Sequence, residues 1–241
     1  MEIYHQLLNT LPKEPFPIKK VIVGVHWTLV CSKYCGLAST LVNCGPHGHS
    51  SVRDVGVLQT KSANELSEWI LSENNLEASI GMAAINSLID VDESKLVKMN
   101  ASEIIAKKGK GKNVAIIGHF PFVKTIRGIP KNCWVIEKNP YGDEFPEDAA
   151  QIYLPKADLI AITGTAFINH TIEKLLSFCN PSALIMILGP STPMTPLLFD
   201  YGVTYLSGAR VDDSIAAINT ISQGAILPQV SGIRLVSMKQ I

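Results

Sequence analysis

The chain has 241 residues, of which 46% are hydrophobic and 17% charged, and its 21 basic residues balance its 21 acidic ones. This composition excludes a disordered chain and is typical of one with large buried cores. The zero net charge argues against nucleic acid or a membrane surface as a partner. Because no apolar run approaches about 18 residues and the N-terminus lacks a signal core, we expect a cytoplasmic protein without a membrane span.

The N-terminal part begins with two strand-like runs, 19–31 and 37–44, joined by the segment SKYCG. This pattern predicts a β-hairpin that turns near Tyr34. The chain contains five cysteines, an odd number, and no signal peptide precedes them. We therefore expect free thiols in a reducing compartment rather than a disulfide framework.

Two helices are predicted after the hairpin. Ser62 and Glu65 have the spacing of a capping box and stand ahead of an apolar stripe, which indicates a helix start. The nearly all-apolar stretch 75–89 predicts a second, buried helix. Together with the hairpin, these helices indicate a small α+β domain over residues 1–98, and a polar, Gly/Lys-rich linker is expected around 95–112.

The second domain, residues 99–241, alternates short apolar runs with helical stretches. This order is typical of an α/β fold with a doubly wound parallel sheet. The predicted strands are 112–118, 132–140, 157–165, 182–193, a weaker run at 202–209, and an edge strand at 232–236. The predicted helices are 121–128, 166–178, 194–200 and 211–222.

Ligands of doubly wound folds bind beyond the carboxyl ends of the strands, so the residues at those ends are candidates for a binding site. These residues are Gly118, His119, Glu137, Thr163, Gly164, Thr165, Asn169, Gly189, Ser191, Thr192, Ser207, Gly208 and Arg210. Small and hydroxyl residues at helix starts present N–H groups to an anion, although the same residues also serve as ordinary helix caps. We expect an anion between the segments TGTAFIN and LGPSTP, with Arg210 within reach.

Glu137 lies 19 residues after Gly118, where nucleotide-binding folds place the acidic residue that holds ribose hydroxyls. The loop after the first strand reads GHFPFV and lacks the G-x-G-x-x-G fingerprint, which argues against NAD. A nucleoside or an S-adenosyl-type ligand stays open. His119 and His170 are the candidates for proton transfer near neutral pH. The sequence leaves open whether the protein is an enzyme.

Three cysteines and two histidines fall within one stretch of 21 residues and suggest a metal site. In the predicted hairpin, however, about 3.3 Å per strand residue separates Cys35 from Cys44 by roughly 30 Å, too far for one metal ion. Cys31 and Cys35 are then small, half-buried residues near the turn. Cys44, His47 and His49 remain a candidate loop site for zinc, copper or nickel, with ordinary polar loop residues as the alternative.

Several segments also resemble a known protein family. They are VIVGVHWTLV, GLAST, NNLEASIGMAAINSLI, ADLIAITGTAFINHTIEKLL, GPSTP and LSG, spread from about residue 5 to about residue 225. The blocks ADLIAITGTAFINHT and LGPSTP are the most specific. On these segments the chain resembles the family described as "Putative heavy-metal chelation". The resemblance implies an N-terminal domain similar to the enolase N-terminal domain, followed by a Rossmann-like domain.

The resemblance extends to individual positions of this sequence. The positions that match the family's motifs are Gly36 to Thr40, Asn75, Gly81, Asn86, Thr163 to Thr165, Asn169, Thr171, Gly189 to Pro193, Ser207 and Gly208. The loop with Cys44, His47 and His49 is not part of that pattern. The family description, rather than the motif residues, therefore supports a metal ion or metal chelate as the bound group.

Three functions follow from these observations. The first is binding of a small anionic organic ligand or metal chelate in a cleft between the domains, as in heavy-metal chelation or chelator metabolism. The second is a transferase for a nucleoside or S-adenosyl-type ligand that uses Glu137. The third is direct binding of a soft metal by the Cys44/His47/His49 loop. We expect the small domain to cover the carboxyl edge of the sheet and Glu137 to be exposed there; a homodimer is left open.

Overall fold

The computed structural model describes residues 1–42, 51–97 and 100–240. Its N-terminal part contains a three-stranded antiparallel sheet in the order β1-β2-β3 and three α-helices. The elements are α1 (Glu2–Asn9), β1 (Lys20–Val23), β2 (Trp27–Cys31), β3 (Cys35–Ser39), α2 (Ala63–Ser67) and α3 (Asn75–Leu88), with 3-10 turns at Leu58–Thr60, Glu68–Leu71 and Glu93–Lys95. The candidate metal residues Cys44, His47 and His49 lie outside the described residues.

The predicted hairpin exists, but its strands are shorter than expected. The run 19–31 is divided into two strands by a turn in which the Gly24 N–H donates to the Trp27 carbonyl oxygen at 2.9 Å. The hairpin turn itself is tight, and it places Cys31 directly opposite Cys35 in the pairing of β2 with β3.

Cys31 and Cys35 form a disulfide, with their Cα atoms 4.0 Å apart. The prediction that the thiols are free is therefore wrong for this pair. The other two described cysteines, Cys133 and Cys179, are free. The reason is geometric. Directly opposed residues of an antiparallel pair bring their Cβ atoms within disulfide range, and the sequence spacing alone did not show that the two cysteines were opposed.

Helix α3 forms the centre of the N-terminal part. It packs against β2 and β3 and is buried along most of its length, as its apolar sequence predicted. A Cβ on Gly36 would lie 2.1 Å from the Ala83 carbonyl oxygen, so only glycine lets β3 approach the helix this closely. The capping box of Ser62 and Glu65 at the start of α2 is confirmed.

The C-terminal part contains a large, mostly parallel sheet with helices packed against it. Its elements are β4 (Leu96–Val97), α4 (Ala101–Gly109), β5 (Asn113–Ile117), α5 (Val123–Ile126), β6 (Asn132–Glu137), β7 (Phe145–Pro146), α6 (Ala150–Tyr153), β8 (Leu159–Thr163), α7 (Thr165–Ile168), α8 (Ile172–Phe178), β9 (Leu184–Leu188), β10 (Tyr205–Val211), α9 (Ser214–Ser222) and β11 (Ile233–Lys239). The described strands have the order β4-β11-β10-β9-β8-β5-β6-β7. The predicted α/β fold class is confirmed, and β5 to β10 pair in parallel.

The strand order reverses between β5 and β8. From β5 the chain builds the sheet outward through β6 and β7, and from β8 it builds the opposite side through β9 and β10. Beyond β10, strand β11 runs antiparallel and is itself covered by β4, so the prediction that 232–236 forms the edge is wrong. The carboxyl ends of β5 and β8 therefore flank a topological switch point, where ligands of doubly wound folds bind.

Other departures from the predicted elements arise from local capping. The expected linker around 95–112 contains α4, whose start is capped by the Asn100 side chain accepting from the Ser102 N–H. The expected helix 166–178 is interrupted at His170, which has a φ of 59°. The predicted domain boundary falls on residues 98 and 99, which lie outside the described residues, and the two-domain division stays a prediction.

The small sheet lies against the carboxyl edge of the large one. The Ser39 N–H donates to Ser191 Oγ at 2.8 Å, and the Asn86 side chain donates to the carbonyl oxygens of Leu37 and Pro190. The two parts also share one apolar core, within which the Tyr4 hydroxyl donates to the Phe167 carbonyl oxygen. The N-terminal part thus covers this edge as expected. Among the described helices, none is both long and apolar enough to span a bilayer.

Candidate ligand-binding cleft

A cleft of about 430 Å³ opens at the topological switch point, between the carboxyl ends of β5, β6 and β8 and the N-terminal part. The N-terminal part contributes Leu41, Val42 and Asn75 to its wall. Its polar lining from the large sheet comprises His119, Glu137, Lys138, Asn139, Glu147, Thr163, Thr165, Asn169 and Thr171. The cleft therefore combines residues from both parts of the chain around the end of one sheet.

One wall of the cleft holds an imidazole between two carboxylates. His119 Nε2 lies 3.0 Å from Glu144 Oε1, and His119 Nδ1 lies 3.8 Å from Glu137 Oε1. The His119 side chain is 63% exposed, whereas the side chains of Glu137 and Glu144 are only 21% and 10% exposed. Glu137 lines the cleft as predicted, but its side chain is half-buried rather than exposed.

The opposite wall is made of neutral hydroxyl and amide groups. Thr163 and Thr165 share a hydrogen bond between their hydroxyl oxygens at 2.9 Å, and the Thr171 hydroxyl donates to Asn169 Oδ1 at 2.7 Å. Thr163 ends β8, and the other three belong to α7 or to the break that follows it. These groups can both donate to and accept from a polar ligand.

The segment LGPSTP does not reach the cleft. Ser191 and Thr192 are each only 1% exposed, and the Thr192 N–H donates to the Gly189 carbonyl oxygen at 2.9 Å. The Gly164 N–H donates to the Leu188 carbonyl oxygen at 2.7 Å. The prediction that free N–H groups of the two segments converge on one anion is therefore wrong, because these donors are bonded within the protein and the segments pack together.

The last predicted group, Ser207, Gly208 and Arg210, also lies away from the cleft. The Ser207 hydroxyl shares a hydrogen bond with the Ser237 hydroxyl at 2.8 Å. Arg210 Nη1 forms an ion pair with Glu93 Oε1 at 3.1 Å. Arg210 is consequently not within reach of the cleft, and it borders a separate, small cavity.

The structure thus divides the residues that the sequence proposed as one binding site. Those that line the cleft are Gly118, His119, Glu137, Thr163, Thr165 and Asn169. Thr192 and Arg210 line the small cavity instead, and the remaining ones line neither. His170 also lies elsewhere, with a ring nitrogen 2.6 Å from the Ile70 carbonyl oxygen in the contact between the two parts.

The sequence reasoning missed Glu147, which lines the cleft, and Glu144, which contacts His119 Nε2. Both follow the end of β6, and the short strand β7, which pairs in parallel with β6, holds them near its carboxyl end. The acidic character of the segment YGDEFPED was the available signal. Its position depended on a two-residue strand that no sequence pattern marks.

Among the residues that the structure describes, the cleft does not present a set of ligands for a bare metal ion. Among the described residues, no group of three or more His, Cys, Asp or Glu side chains could hold one. Glu137 and Glu144 face the two different nitrogens of the same imidazole, so the three side chains do not converge on one point.

Comparison with known proteins agrees with the fold. The DUF364 family profile, described as "Putative heavy-metal chelation", matches residues 100–238, and the DUF4213 profile with the same description matches residues 4–89.

The chain belongs to the DUF364 family.

Relatives and solved structures from three organisms extend this result. The chain is 26% identical over 226 residues to "Uncharacterized protein MJ0500" of Methanocaldococcus jannaschii, covering 88% of this chain and 86% of that protein. A DUF364 protein of unknown function from Desulfitobacterium hafniense is 26% identical, with a TM-score of 0.88 over 99% of this chain and 98% of that one. A DUF364 protein of unknown function from Pyrococcus horikoshii has the same fold, with a TM-score of 0.82 over 99% of this chain and 98% of that one. The two sequences are 23% identical.

Proposed function

We propose that this DUF364 protein binds a small organic metal chelate in the cleft at the carboxyl edge of the large sheet. The observation that carries the proposal is the cleft's composition. It offers hydroxyl and amide groups on one wall and carboxylates on the other, but its described residues include no converging ligand set for a bare ion. The metal is then cargo that arrives already bound by an organic ligand.

The charge of the cleft supports a cationic or metal-bearing ligand over a purely anionic one. Glu137 and Glu147 line the cleft and Glu144 stands beside His119, whereas Lys138 is the single lysine among the lining residues. A free organic anion would face the like charge of these carboxylates, at a cost that grows as water is excluded. A metal chelate reduces this repulsion because its cation faces the carboxylates.

The neutral wall would recognise the organic part of the ligand. Thr163, Thr165, Asn169 and Thr171 are already held in pairs by hydrogen bonds, so they meet a ligand in a fixed geometry. Such preorganisation lowers the entropy lost on binding. The family description, "Putative heavy-metal chelation", supports the proposal at the level of heavy-metal chelation.

A second candidate is a nucleoside or S-adenosyl-type ligand. The observation that favours it is the position of Glu137, whose carboxylate lies in the cleft at the end of β6, next to Gly118 at the end of β5. Nucleotide-binding folds hold ribose hydroxyls with an acidic residue at that place. This candidate needs no metal, so the same experiment separates it from the first.

Thermal unfolding of the full chain with five probes tests both candidates. The probes are nickel ion, citrate, nickel citrate, adenosine and S-adenosylmethionine. A chelate at a hundred times its Kd should stabilise the fold by about 2.7 kcal/mol, and the ion or citrate alone should do much less. Stabilisation by adenosine alone would favour the second candidate, and equal responses to the free ion and the chelate would contradict the first.

Two cleft variants locate the site. Glu137→Gln removes one charge, and Thr165→Val removes one hydroxyl without changing the side-chain size. Each loses about 1.4 kcal/mol or more of binding free energy, a tenfold rise in Kd for the chelate by calorimetry. Glu103→Gln, a matched change of an exposed residue on α4, should leave the Kd unchanged. A cleft double variant with the Kd of the native protein would move the site elsewhere.

A further inference from the structure

The hairpin of the small sheet carries a pair of directly opposed cysteines. Cys31 ends β2 and Cys35 begins β3, and the two are cross-strand partners linked by a disulfide. Cys31 is 4% exposed, while Cys35 is half-buried and borders the small cavity noted above. One sulfur is thus shielded by the core, and the other adjoins open space.

This small cavity has polar walls next to Cys35. It measures about 30 Å³, room for a single small ion, and its lining includes Tyr34, Asn86, Thr192 and Arg210. The Thr192 hydroxyl is buried and has no hydrogen-bond partner within the described part of the chain, which is rare inside proteins and indicates space for a further polar group. The Arg210 guanidinium, ion-paired with Glu93 Oε1 at 3.1 Å, is part of the same lining.

The turn that opposes the cysteines is held by contacts other than the disulfide. The Tyr34 N–H donates to the Ser87 carbonyl oxygen at 3.0 Å, and the Ser32 and Ser87 hydroxyls share a hydrogen bond at 2.9 Å. The Tyr34 hydroxyl donates to Asp90 Oδ1 at 2.8 Å. These bonds tie the turn to the C-terminal end of α3 and the residues just after it. The two sulfurs therefore stay opposed when the bond between them is reduced.

We propose that Cys31 and Cys35 form a redox-gated binding site for a soft, thiophilic metal ion. A thiol or phosphine reductant supplies two electrons, and two protons are taken up, so that the disulfide becomes two thiols. A divalent soft ion then displaces both protons and forms two metal–sulfur bonds, and water or a small thiol completes its coordination. A disulfide oxidant such as oxidised glutathione then takes two electrons from the two metal-bound thiolates and two protons from water, so that the Cys31–Cys35 disulfide forms again, the oxidant leaves as two thiols and the divalent ion is released.

The other described cysteines lack these features. Cys133 and Cys179 are single, and burial raises the pKa of both thiols, that of Cys179 to about 12. Each of these single thiols can form only one metal–sulfur bond and therefore cannot chelate an ion. The opposed pair on the hairpin is therefore the thiol site of the described chain that can chelate.

This site is separate from the cleft. Over residues 1–42, 51–97 and 100–240, no residue lines both the small cavity and the cleft, and Arg210 and Cys35 border only the cavity. A soft ion on the hairpin and a metal chelate in the cleft are consequently independent, and either can be contradicted without the other.

Cadmium titration of the full chain tests the proposal. The protein is reduced with a phosphine, freed of reductant without air, and titrated with cadmium ion in the presence of excess citrate, which competes for weakly held ions, cannot reduce the disulfide and gives no thiolate-to-cadmium band. We expect a thiolate-to-cadmium absorption band that saturates at one equivalent. Oxidised protein and the variant carrying both Cys31→Ser and Cys35→Ser should bind at least a hundredfold more weakly.

Matched variants identify the thiols responsible. Replacing both Cys133 and Cys179 with serine should leave the band and the Kd unchanged, and so should Cys44→Ser. The proposal is overturned if the Cys31/Cys35 double variant keeps the native affinity, if oxidised protein binds equally well, or if Cys44→Ser abolishes binding.

A second probe needs no variant and covers the case in which the double variant fails to fold. Phenylarsine oxide condenses with two neighbouring thiols, forming two arsenic–sulfur bonds and releasing water. Reduced native protein should gain one adduct, mapped by mass spectrometry to the peptide containing Cys31 and Cys35. An adduct on any other peptide, or the absence of one, would overturn the proposal.

Discussion

Gly164 and Thr192 lie in direct contact, so that a Cβ on Gly164 would stand 2.7 Å from the Thr192 backbone nitrogen. The contact joins the loops after β8 and β9 and closes the space in which an anion was expected. Gly164→Ala should lower the free energy of unfolding by about 1–3 kcal/mol, because backbone atoms must move to admit the methyl group. Urea denaturation measures the loss.

Gly128 provides the matched control for this substitution. No atom lies within 4 Å of the position that its Cβ would occupy. Gly128→Ala should therefore leave stability unchanged or raise it by less than about 1 kcal/mol. Equal effects of the two substitutions would show that the contact between the loops does not restrict residue 164.

Ser191 joins the two parts of the chain through a buried hydrogen bond. Its hydroxyl oxygen accepts from the Ser39 N–H at 2.8 Å. Ser191→Ala leaves that buried donor without a partner and should cost about 1–3 kcal/mol of unfolding free energy by calorimetry. Ser177→Ala, at an exposed helical hydroxyl that donates to the Lys174 carbonyl oxygen, should change it by less than about 0.5 kcal/mol. A loss at Ser191 as small as at Ser177 would contradict this role.

Glu77 secures the segment that enters α3. The carboxylate is 7% exposed and accepts from the Arg53 N–H at 2.9 Å and from the Ser72 hydroxyl at 2.7 Å. Glu77→Gln replaces one acceptor with a donor and should lower the unfolding free energy by about 1–3 kcal/mol. Chemical denaturation should give this variant a free energy of unfolding at least about 1 kcal/mol below that of Glu68→Gln, a substitution at an exposed position.

Cys179 should resist alkylation at ordinary pH. Burial raises the pKa of its thiol from 9.0 to about 12, so its thiolate fraction at pH 8 falls by about a thousandfold. The rate of iodoacetamide reaction, followed by mass spectrometry, should keep rising tenfold per pH unit above 9, where the unfolded peptide levels off. Because the folded pKa is the higher one, this thiol's contribution to stability is complete below pH 9 and is lost as the pH rises toward 12. A plateau of the folded rate near pH 9 would contradict the effect of burial.

The strands of the large sheet could be predicted because their burial on both faces leaves a direct record in the sequence. The runs ending at Ile117, Thr163 and Leu188 are continuous and apolar, as parallel strands covered by helices must be. The rule that ligands lie beyond the carboxyl ends of such strands then identified His119, Glu137 and their neighbours as cleft residues.

Features that depend on pairing register could not be predicted in this way. The disulfide required Cys31 to face Cys35, and a shift of one residue in the turn would have separated them. Glu144 reached His119 through the two-residue strand β7, which has no pattern of its own. Helix α4 was hidden by its lysines and glycines, although Asn100 caps its start.

The sequence by itself determined the order of the elements, the parallel sheet and the set of polar groups at its carboxyl edge, because apolar periodicity follows from burial along each element. Only the tertiary structure decided which of those groups share a space. The loops that carry Thr163 and Thr192 follow neighbouring strands, but the close approach of Gly164 fills the gap between them and assigns one to the cleft and the other to the small cavity. That outcome depends on interatomic distances between residues far apart in sequence, where a change of a few tenths of an ångström decides whether a gap is filled. Close packing sets these distances, and hydrophobic periodicity carries no information about them.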